Sequence, residues 1–265
     1  DHRDLHYPLR RQRQMCIRDS TIGVSSAAGF GAALAIVLGV GMVGGSKYLV
    51  ITNAFIFSLL AAFLVSGISG LRGMTSESVI LTGIVVMYMF AAMTSLLEYV
   101  AEPDALQQIV FWLMGSLNPT TWEELVPVTM MMFLLLPLLI RMTWDLNAVS
   151  AGDEIAASLG VEVGFVRTAS LVLATLIVST VVCFTGTIGF IGLVAPHMAR
   201  MTVGGDHRFS LPCACLMGGL LLLGADTVAR TIIAPTEIPV GIPTSLMGVP
   251  FFVYLLMKER RRYWG

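Results

Sequence analysis

Long apolar runs, separated by short polar turns or by turns rich in glycine and proline, make up almost the whole chain from Thr21 onward. A membrane-spanning helix needs about 20 mostly apolar residues, and fewer where neighbouring helices shelter it. Such runs lie at 25–43, 48–70, 78–99, 124–141, 166–186, 211–233 and 242–257, with a shorter one at 192–203. The pattern predicts an all-α, polytopic transmembrane helical bundle of about eight helices, with no soluble domain between them.

The composition agrees with a membrane protein and narrows its chemistry. Of 265 residues, 56% are hydrophobic and 12% are charged, whereas a soluble domain carries about 25% charged residues. The net charge of −1 offers no basic field for nucleic acid. The sequence contains no phosphate-binding glycine loop, no GxSxG and no His–Glu pair at metalloprotease spacing. We therefore expect no catalytic residue, no metal and no cofactor in this chain.

Basic residues predict which loops face the cytoplasm, because Lys and Arg beside spans are retained there. They fall in four regions, marked by Arg72, by Arg141 with Arg167, by Arg200 with Arg208, and by Lys258 with Arg260, Arg261 and Arg262. The intervening loops, predicted to lie outside, are mostly acidic, at Glu98, Glu102, Asp104, Glu123, Glu124 and Glu237. This alternation predicts a multi-pass membrane protein, provided that 192–203 crosses or dips as a short helix.

The first twenty residues differ from the rest, since they are polar and carry five of the sixteen Lys and Arg residues. They lack the apolar centre of a signal peptide. A basic cytoplasmic tail is one interpretation. The segment QMCIRDS at 14–20 resembles a translated sequencing adapter, which favours a non-native leader over 1–20. The predicted organisation is then this leader, a transmembrane permease domain over 21–258 and a basic cytoplasmic tail over 259–265.

The polar segment 147–167, between two spans on the predicted cytoplasmic side, is expected to contain a short helix. Ser150 is predicted to cap it, with Asp153 and Glu154 in its first turn and Gly160 at its end. An amphipathic helix there suits the groove of a partner protein. The alternative is a helix lying on the bilayer, which the two acidic residues disfavour because surface helices prefer Lys and Arg.

The segment 186–200, GTIGFIGLVAPHMAR, places glycine, proline, histidine and arginine among apolar runs. Such residues are tolerated at membrane depth where protein or a water-filled path shelters them. With the later prolines they indicate helices that line a transport path. His197 is interpreted as a structural histidine and not as a metal ligand.

Asp226 and Arg230 are charged residues within a predicted span and stand four residues apart. At that spacing the two side chains meet on one helix face. Two interpretations stay open, namely an ion pair that offsets its own burial and a docking charge presented by Arg230 to the outside.

Several motifs, in order along 21–258, resemble the FecCD family, the permease subunits of bacterial ABC importers for iron-siderophores, haem and cobalamin. They are TIGVSSAAG (21–29), WLMGSL (112–117), LNAVSAGDEIAASLGV (146–161), GTIGFIGLVAPHMAR (186–200), GADTVAR (224–230) and EIPVGIPTSLMGVPFFVYLL (237–256).

The resemblance implies a subunit that works as one of a pair, with two cytoplasmic ATP-binding subunits and an extracytoplasmic substrate-binding protein. Arg230 matches a docking arginine, and Thr75 and Ser76 match the cytoplasmic gate. The ATPase-coupling helix would include Ser150, Gly152, Asp153, Glu154, Ala157, Leu159 and Gly160. The structural motif positions would be Gly189, Gly192, Pro196, His197, Arg200 and Asp226.

The family pattern has ten helices, so the sequence is expected to lack roughly the first two. The function implied is ATP-driven inward transport of an iron-siderophore or related metal chelate, with hydrolysis on a separate chain. The alternatives are an ATP-independent carrier or channel and a structural membrane subunit without a path.

Overall fold

The computed structural model describes residues 23–39, 46–71, 75–117, 120–233 and 237–261. These ranges contain eleven helices joined by short connections. In chain order they are α1 (Val24–Leu38), α2 (Ser46–Gly70), α3 (Ser76–Val100), α4 (Pro103–Met114), α5 (Trp122–Arg141), α6 (Thr143–Ala151), α7 (Asp153–Ser158), α8 (Val163–Thr185), α9 (Ile191–Val203), α10 (His207–Thr231) and α11 (Gly241–Arg261).

The prediction of an all-α transmembrane bundle is confirmed, and each of the eight predicted runs forms a helix. Within the described ranges, α2, α3, α5, α8 and α10 are long and apolar enough to cross a membrane. Three further helices, α4, α6 and α7, lie in segments between the predicted runs. The first run was predicted to reach residue 43, whereas α1 ends at Leu38 and Gly39 follows it with a φ of 59°.

Helix α1 lies at the centre of the bundle, packed against α2, α3, α4 and α8. Its small residues allow this, since Ala27, Ala28 and Ala33 are almost fully buried. A Cβ on Gly31 would stand 2.5 Å from the carbonyl oxygen of Asn53 in α2. Small residues of this kind let helix backbones approach closely in membranes. The burial of α1 among its neighbours therefore depends on its alanine and glycine residues.

Three aromatic rings fasten α1 to α2 and α3. Phe30 packs edge-on against Phe57 with ring centroids 5.0 Å apart, and it lies 5.7 Å from Phe90. Edge-to-face pairs of this kind are favourable beyond the contact area that they bury. The cluster fixes the position of α3 relative to the central helix.

Contacts at the two ends of α8 identify the two ends of the bundle. At its start, Arg167 pairs with Asp153 of α7 at 2.8 Å. At its end, the carbonyl of Thr185 accepts a hydrogen bond from the Ser116 amide. We call the first the basic end, since Arg141, Arg167, Arg200 and Arg208 stand at helix termini there, and the other the outer end.

The chain returns from the outer end to the basic end between residues 186 and 206, because Asp206 contacts Asn147 of α6. Helix α8 has 23 residues and a length of about 35 Å, whereas the 13 residues of α9 cover about 20 Å. The non-helical residues 186–190 therefore supply the rest of the crossing. The alternation of loops predicted from the basic residues agrees with this arrangement.

Some predictions fall outside the described residues. The leader at 1–20, Arg72 and residues 262–265 of the predicted tail belong to this group. Helix α11 continues to Arg261, so the first residues of the segment predicted as a tail are helical.

Candidate functional site

The segment between α5 and α8 forms two helices where one was expected. Helix α6 follows α5 directly, and Gly152, with a φ of 133°, separates it from α7. Asp153 and Glu154 occupy the first turn of α7, as predicted.

The predicted cap at Ser150 is wrong. Ser150 lies inside α6, where its hydroxyl donates to the Asn147 carbonyl at 2.7 Å. Gly152 holds the N-cap position of α7 and has no side chain to offer. The extended backbone of Gly152 turns the chain at this point, so Ser150 stands one helix too early to reach the α7 amides.

Gly160 ends the α7 segment as predicted. Its φ of 80° is the left-handed conformation that glycine adopts without steric cost. The Gly160 amide donates to Ala157, and the Val161 amide donates to Ala156, both at 3.0 Å. This pair of bonds is the Schellman arrangement, which satisfies the last carbonyls of a helix.

The surface of α7 combines charge with exposed apolar side chains. Asp153 is held by Arg167, whereas Glu154 projects from the same turn. Ile155 is 51% exposed and Leu159 is 68% exposed. Four residues apart, they stand on one side of the helical turn, while Ala156 is fully buried against the bundle. Ala157 is exposed as well. The described fold thus presents α7 outward.

At the basic end, α6 contacts the start of α10 through residues that were not predicted to be functional. The Asn147 side chain hydrogen-bonds to Asp206 and to the backbone of His207. The Arg208 guanidinium lies 4.3 Å from the centre of the Trp144 ring. No sequence signal joins positions about 60 residues apart, although Asp206 before His207 is recognisable as a helix cap.

At the outer end, three segments meet through their backbones at a junction formed by Gly115, Gly186 and Gly241. A Cβ on Gly186 would overlap the carbonyl of Trp112, and one on Gly241 would overlap the carbonyl of Met114. The Val240 amide donates to the Gly115 carbonyl at 3.1 Å. The junction ties the ends of α4 and α8 to the start of α11.

The predicted structural motif positions between residues 189 and 200 lie in different environments. Gly189 and Gly192 are exposed, and a Cβ on Gly192 would meet no described atom within 4 Å. Pro196 and His197 lie inside α9 and are partly buried, and the Arg200 carbonyl accepts the Gly204 amide at the helix end.

Phe190, just before α9, has a φ of 67°, which is unusual for a residue with a side chain. The Ile191 amide donates to the Gly189 carbonyl across it. Its side chain packs where Gly248 of α11 leaves space, since a Cβ there would stand 2.6 Å from the Phe190 Cβ. Such strain persists only where surrounding packing enforces it.

Asp226 and Arg230 form the ion pair that their spacing predicted. The Arg230 Nε donates to the Asp226 Oδ2 at 2.8 Å, in the last turns of α10 at the outer end. The Arg230 side chain is 45% exposed and that of Asp226 is 17% exposed. The pair leaves the arginine accessible, so the ion-pair and docking interpretations are compatible.

The predicted gate residues stand at the start of α3. Thr75 is its N-cap, and the Thr75 Oγ1 accepts a hydrogen bond from the Ser78 amide at 3.2 Å. Ser76 is the first residue of the helix. Among the residues that the structure describes, no three His, Cys, Asp or Glu side chains are grouped as a metal site.

A bundle of apolar helices with an unwound crossing segment and charged surfaces at its two ends defines a multi-pass membrane transport protein. The sequence model of the FecCD transport family matches residues 18–258. The chain belongs to that family.

Individual relatives agree with this membership. An ABC transporter permease protein of Methanocaldococcus jannaschii is 40% identical over 250 residues, which is 91% of this chain and 72% of the relative. A hemin transport system permease protein of Yersinia pestis is 36% identical over 245 residues, or 92% of this chain and 73% of the relative.

A solved structure supports the same fold. It is an inward-facing conformation of an ABC transporter described as of metal-chelate type, with a TM-score of 0.82 and 35% identity. The match covers 90% of this chain and 75% of that one.

Proposed function

We propose that this chain is the membrane-spanning permease subunit of an ATP-driven importer, which moves an iron-siderophore or a related metal chelate inward across the plasma membrane. The hemin permease and the metal-chelate transporter among its relatives support this class of cargo. ATP hydrolysis would take place on separate cytoplasmic subunits, so the permease itself makes and breaks no covalent bonds. A second permease copy, identical or homologous, would complete the path, and the lipid bilayer would cover the remaining apolar faces.

The surface of α7 carries this proposal. A short helix that exposes Ile155 and Leu159 beside the carboxylate of Glu154 offers a partner protein a surface that is both apolar and acidic. The buried Ala156 and the Asp153–Arg167 ion pair fix the helix against the bundle. An ATP-binding subunit docked on α7 would therefore move the adjoining spans when it closes on ATP.

Glu154→Arg tests this docking surface. Glu154 is exposed and adjoins the apolar pair, so reversing its charge should disturb the partner and leave the bundle intact. We expect about a tenfold loss of ATPase stimulation, since unfavourable charges at an interface cost more than about 1.4 kcal/mol. The measurement is phosphate release by the ATP-binding subunit with wild-type or variant permease.

Glu162→Arg is the matched control, because Glu162 is also an exposed carboxylate in the same connection but follows α7. It should stimulate like the wild type. Equal stimulation by Glu154→Arg would contradict the assignment of α7. Failure of the wild-type permease to co-purify with any ATP-binding subunit would instead favour an ATP-independent carrier.

Two further roles complete the proposal. Arg230, exposed at the outer end, would dock an acidic residue of the extracytoplasmic substrate-binding protein, with Asp226 holding its guanidinium in place. Thr75 and Ser76 would form part of the cytoplasmic gate. Thr75 caps the start of α3, so a small movement of Thr75 would change how that helix begins. This supports a gate at the start of α3.

A further inference from the structure

The side chain of Asn147 joins α6 to the first turn of α10. Its Nδ2 donates to the Asp206 Oδ1 at 2.7 Å, and its Oδ1 accepts from the His207 amide at 2.9 Å. The same Asp206 oxygen accepts from the Arg208 amide at 2.9 Å. We call this arrangement of Asn147, Asp206 and the two amides the Asn147 clasp.

The clasp satisfies amides that every helix start leaves without a partner in its own helix. Asp206 caps α10 from within its own chain segment, and Asn147 adds a second acceptor from a different helix. The Arg208 amide and the Asn147 amide group hold the pKa of Asp206 below its ordinary value. The carboxylate is thus ionised at neutral pH, and hydrogen bonds to an ionised acceptor are stronger than neutral ones.

A second contact supports the clasp on the same face of α6. Trp144 stands three residues before Asn147, and the Arg208 guanidinium lies 4.3 Å from its ring centre. Residues three apart on a helix are neighbours on one face. Helix α6 therefore holds the first turn of α10 through a polar pair and a cation–π pair.

The Asn147 clasp lies between α7 and the helix that reaches the outer end. One residue, Gly152, separates α6 from α7. Helix α10 has 25 residues, so it extends about 37 Å from the clasp to Arg230 near the outer end.

We propose that Asn147 is a positioning residue that makes α6, α7 and the start of α10 move as one unit. A displacement of α7 by an ATP-binding subunit then reaches the helix that carries Arg230. This inference rests on the proposed function in that an ATP-binding subunit docks on α7.

The clasp needs an amide at position 147, because only an amide places a donor and an acceptor side by side. Asn147→Asp puts a carboxylate oxygen against the Asp206 oxygen, and Asn147→Ala removes both bonds. Asp206→Asn is the matched control, since its Oδ1 still accepts from Asn147 and from the Arg208 amide.

The first test measures whether α7 and α10 move together. Spin labels replace Ser158 of α7, which lies outside the apolar pair of the docking surface, and Phe209 of α10, both exposed, in an assembled transporter freed of its native cysteines. In the wild type and in Asp206→Asn we expect one narrow distance that stays constant when ATP and vanadate are added. In Asn147→Asp and Asn147→Ala we expect that distance to broaden or shift on addition.

The second test measures coupling in the same complexes by phosphate release. Basal ATP hydrolysis should stay within about twofold of the wild type in all variants. Its stimulation by the substrate-binding protein should fall at least about fivefold in both Asn147 variants and persist in Asp206→Asn, a change of about 1 kcal/mol.

The proposal is overturned if the Asn147 variants keep the narrow, constant distance, or if the wild-type distance changes with ATP and vanadate. Full stimulation in both Asn147 variants would also overturn it. Failure of the proposed function looks different, because then no ATP-binding subunit would co-purify with the wild type and Glu154→Arg would change nothing.

Discussion

Gly186 is the residue at which the outer junction has least freedom. Its φ is 70°, and a Cβ there would overlap the Trp112 carbonyl. Gly186→Ala should therefore cost about 3 kcal/mol, combining about 1–3 kcal/mol of strain at a positive φ and extended ψ with an overpacking cost of similar size. A lower midpoint of thermal unfolding in detergent would show this loss.

Gly192→Ala provides the comparison within the same motif. Gly192 is helical and exposed, and a Cβ would meet no described atom within 4 Å. Alanine is favoured over glycine in a helix by about 1 kcal/mol, so this variant should unfold at the wild-type temperature or slightly above it. An equal loss in both variants would show that the backbone contact at Gly186 is not the cause.

Gly186 and Gly192 show what the sequence can and cannot predict about single residues. The sequence showed that glycines in 186–192 are out of place in lipid, but it could not tell one from another. The difference comes from Trp112, which stands 74 residues before Gly186. The same holds for Asn147, whose partners are 59 and 60 residues away.

Among the elements, α7 depends on its C-terminal glycine. Gly160 has a φ of 80° and open space around it, so Gly160→Ala meets no clash but adopts a conformation costing about 1–2 kcal/mol. We expect the last turn of α7 to loosen. The Val161 amide, bonded to Ala156, should then exchange its hydrogen at least about fivefold faster in hydrogen–deuterium exchange.

Gly164→Ala is the control, because Gly164 also has open space around it but lies in the first turn of α8 without a positive φ. Its effect on exchange at Val161 should be small. Unchanged exchange in Gly160→Ala would mean that the α7 terminus does not depend on the left-handed glycine.

The long helices could be predicted from the sequence because each needs only a sustained apolar run, which is a local property. Of the short helices, α7 was predicted from its acidic first turn and from Gly160, whereas α4 and α6 were not predicted. Signals for α4 were present, since Pro103 stands at its first position and Asp104 in its first turn. The division between α6 and α7 depends on the backbone conformation of Gly152. The pattern of apolar residues does not predict that conformation.

At the scale of the whole molecule, the outer end should determine recognition of the substrate-binding protein. Arg230→Glu places a carboxylate beside Asp226 where the ion pair stood. We expect at least a tenfold weaker affinity for the binding protein, because charge reversal at an interface leaves like charges together. Titration of purified transporter in nanodiscs with labelled binding protein measures it.

Arg230→Lys keeps the positive charge and should change the affinity by only about threefold, since lysine lacks the bidentate geometry of arginine. An affinity of Arg230→Glu equal to the wild type would place the docking surface elsewhere.

The unwound crossing at 186–190 also has a consequence for how the chain enters the bilayer during synthesis. Helix α9, at about 20 Å, is shorter than a hydrocarbon core of about 30 Å and is preceded by the non-helical residues 186–190. Its packing surface is α10, where Gly218 lies against Ala195. That surface is synthesised later, so α9 must wait at the interface until α10 follows it. A ribosome stalled before Gly218 should therefore leave α9 accessible to water-soluble reagents.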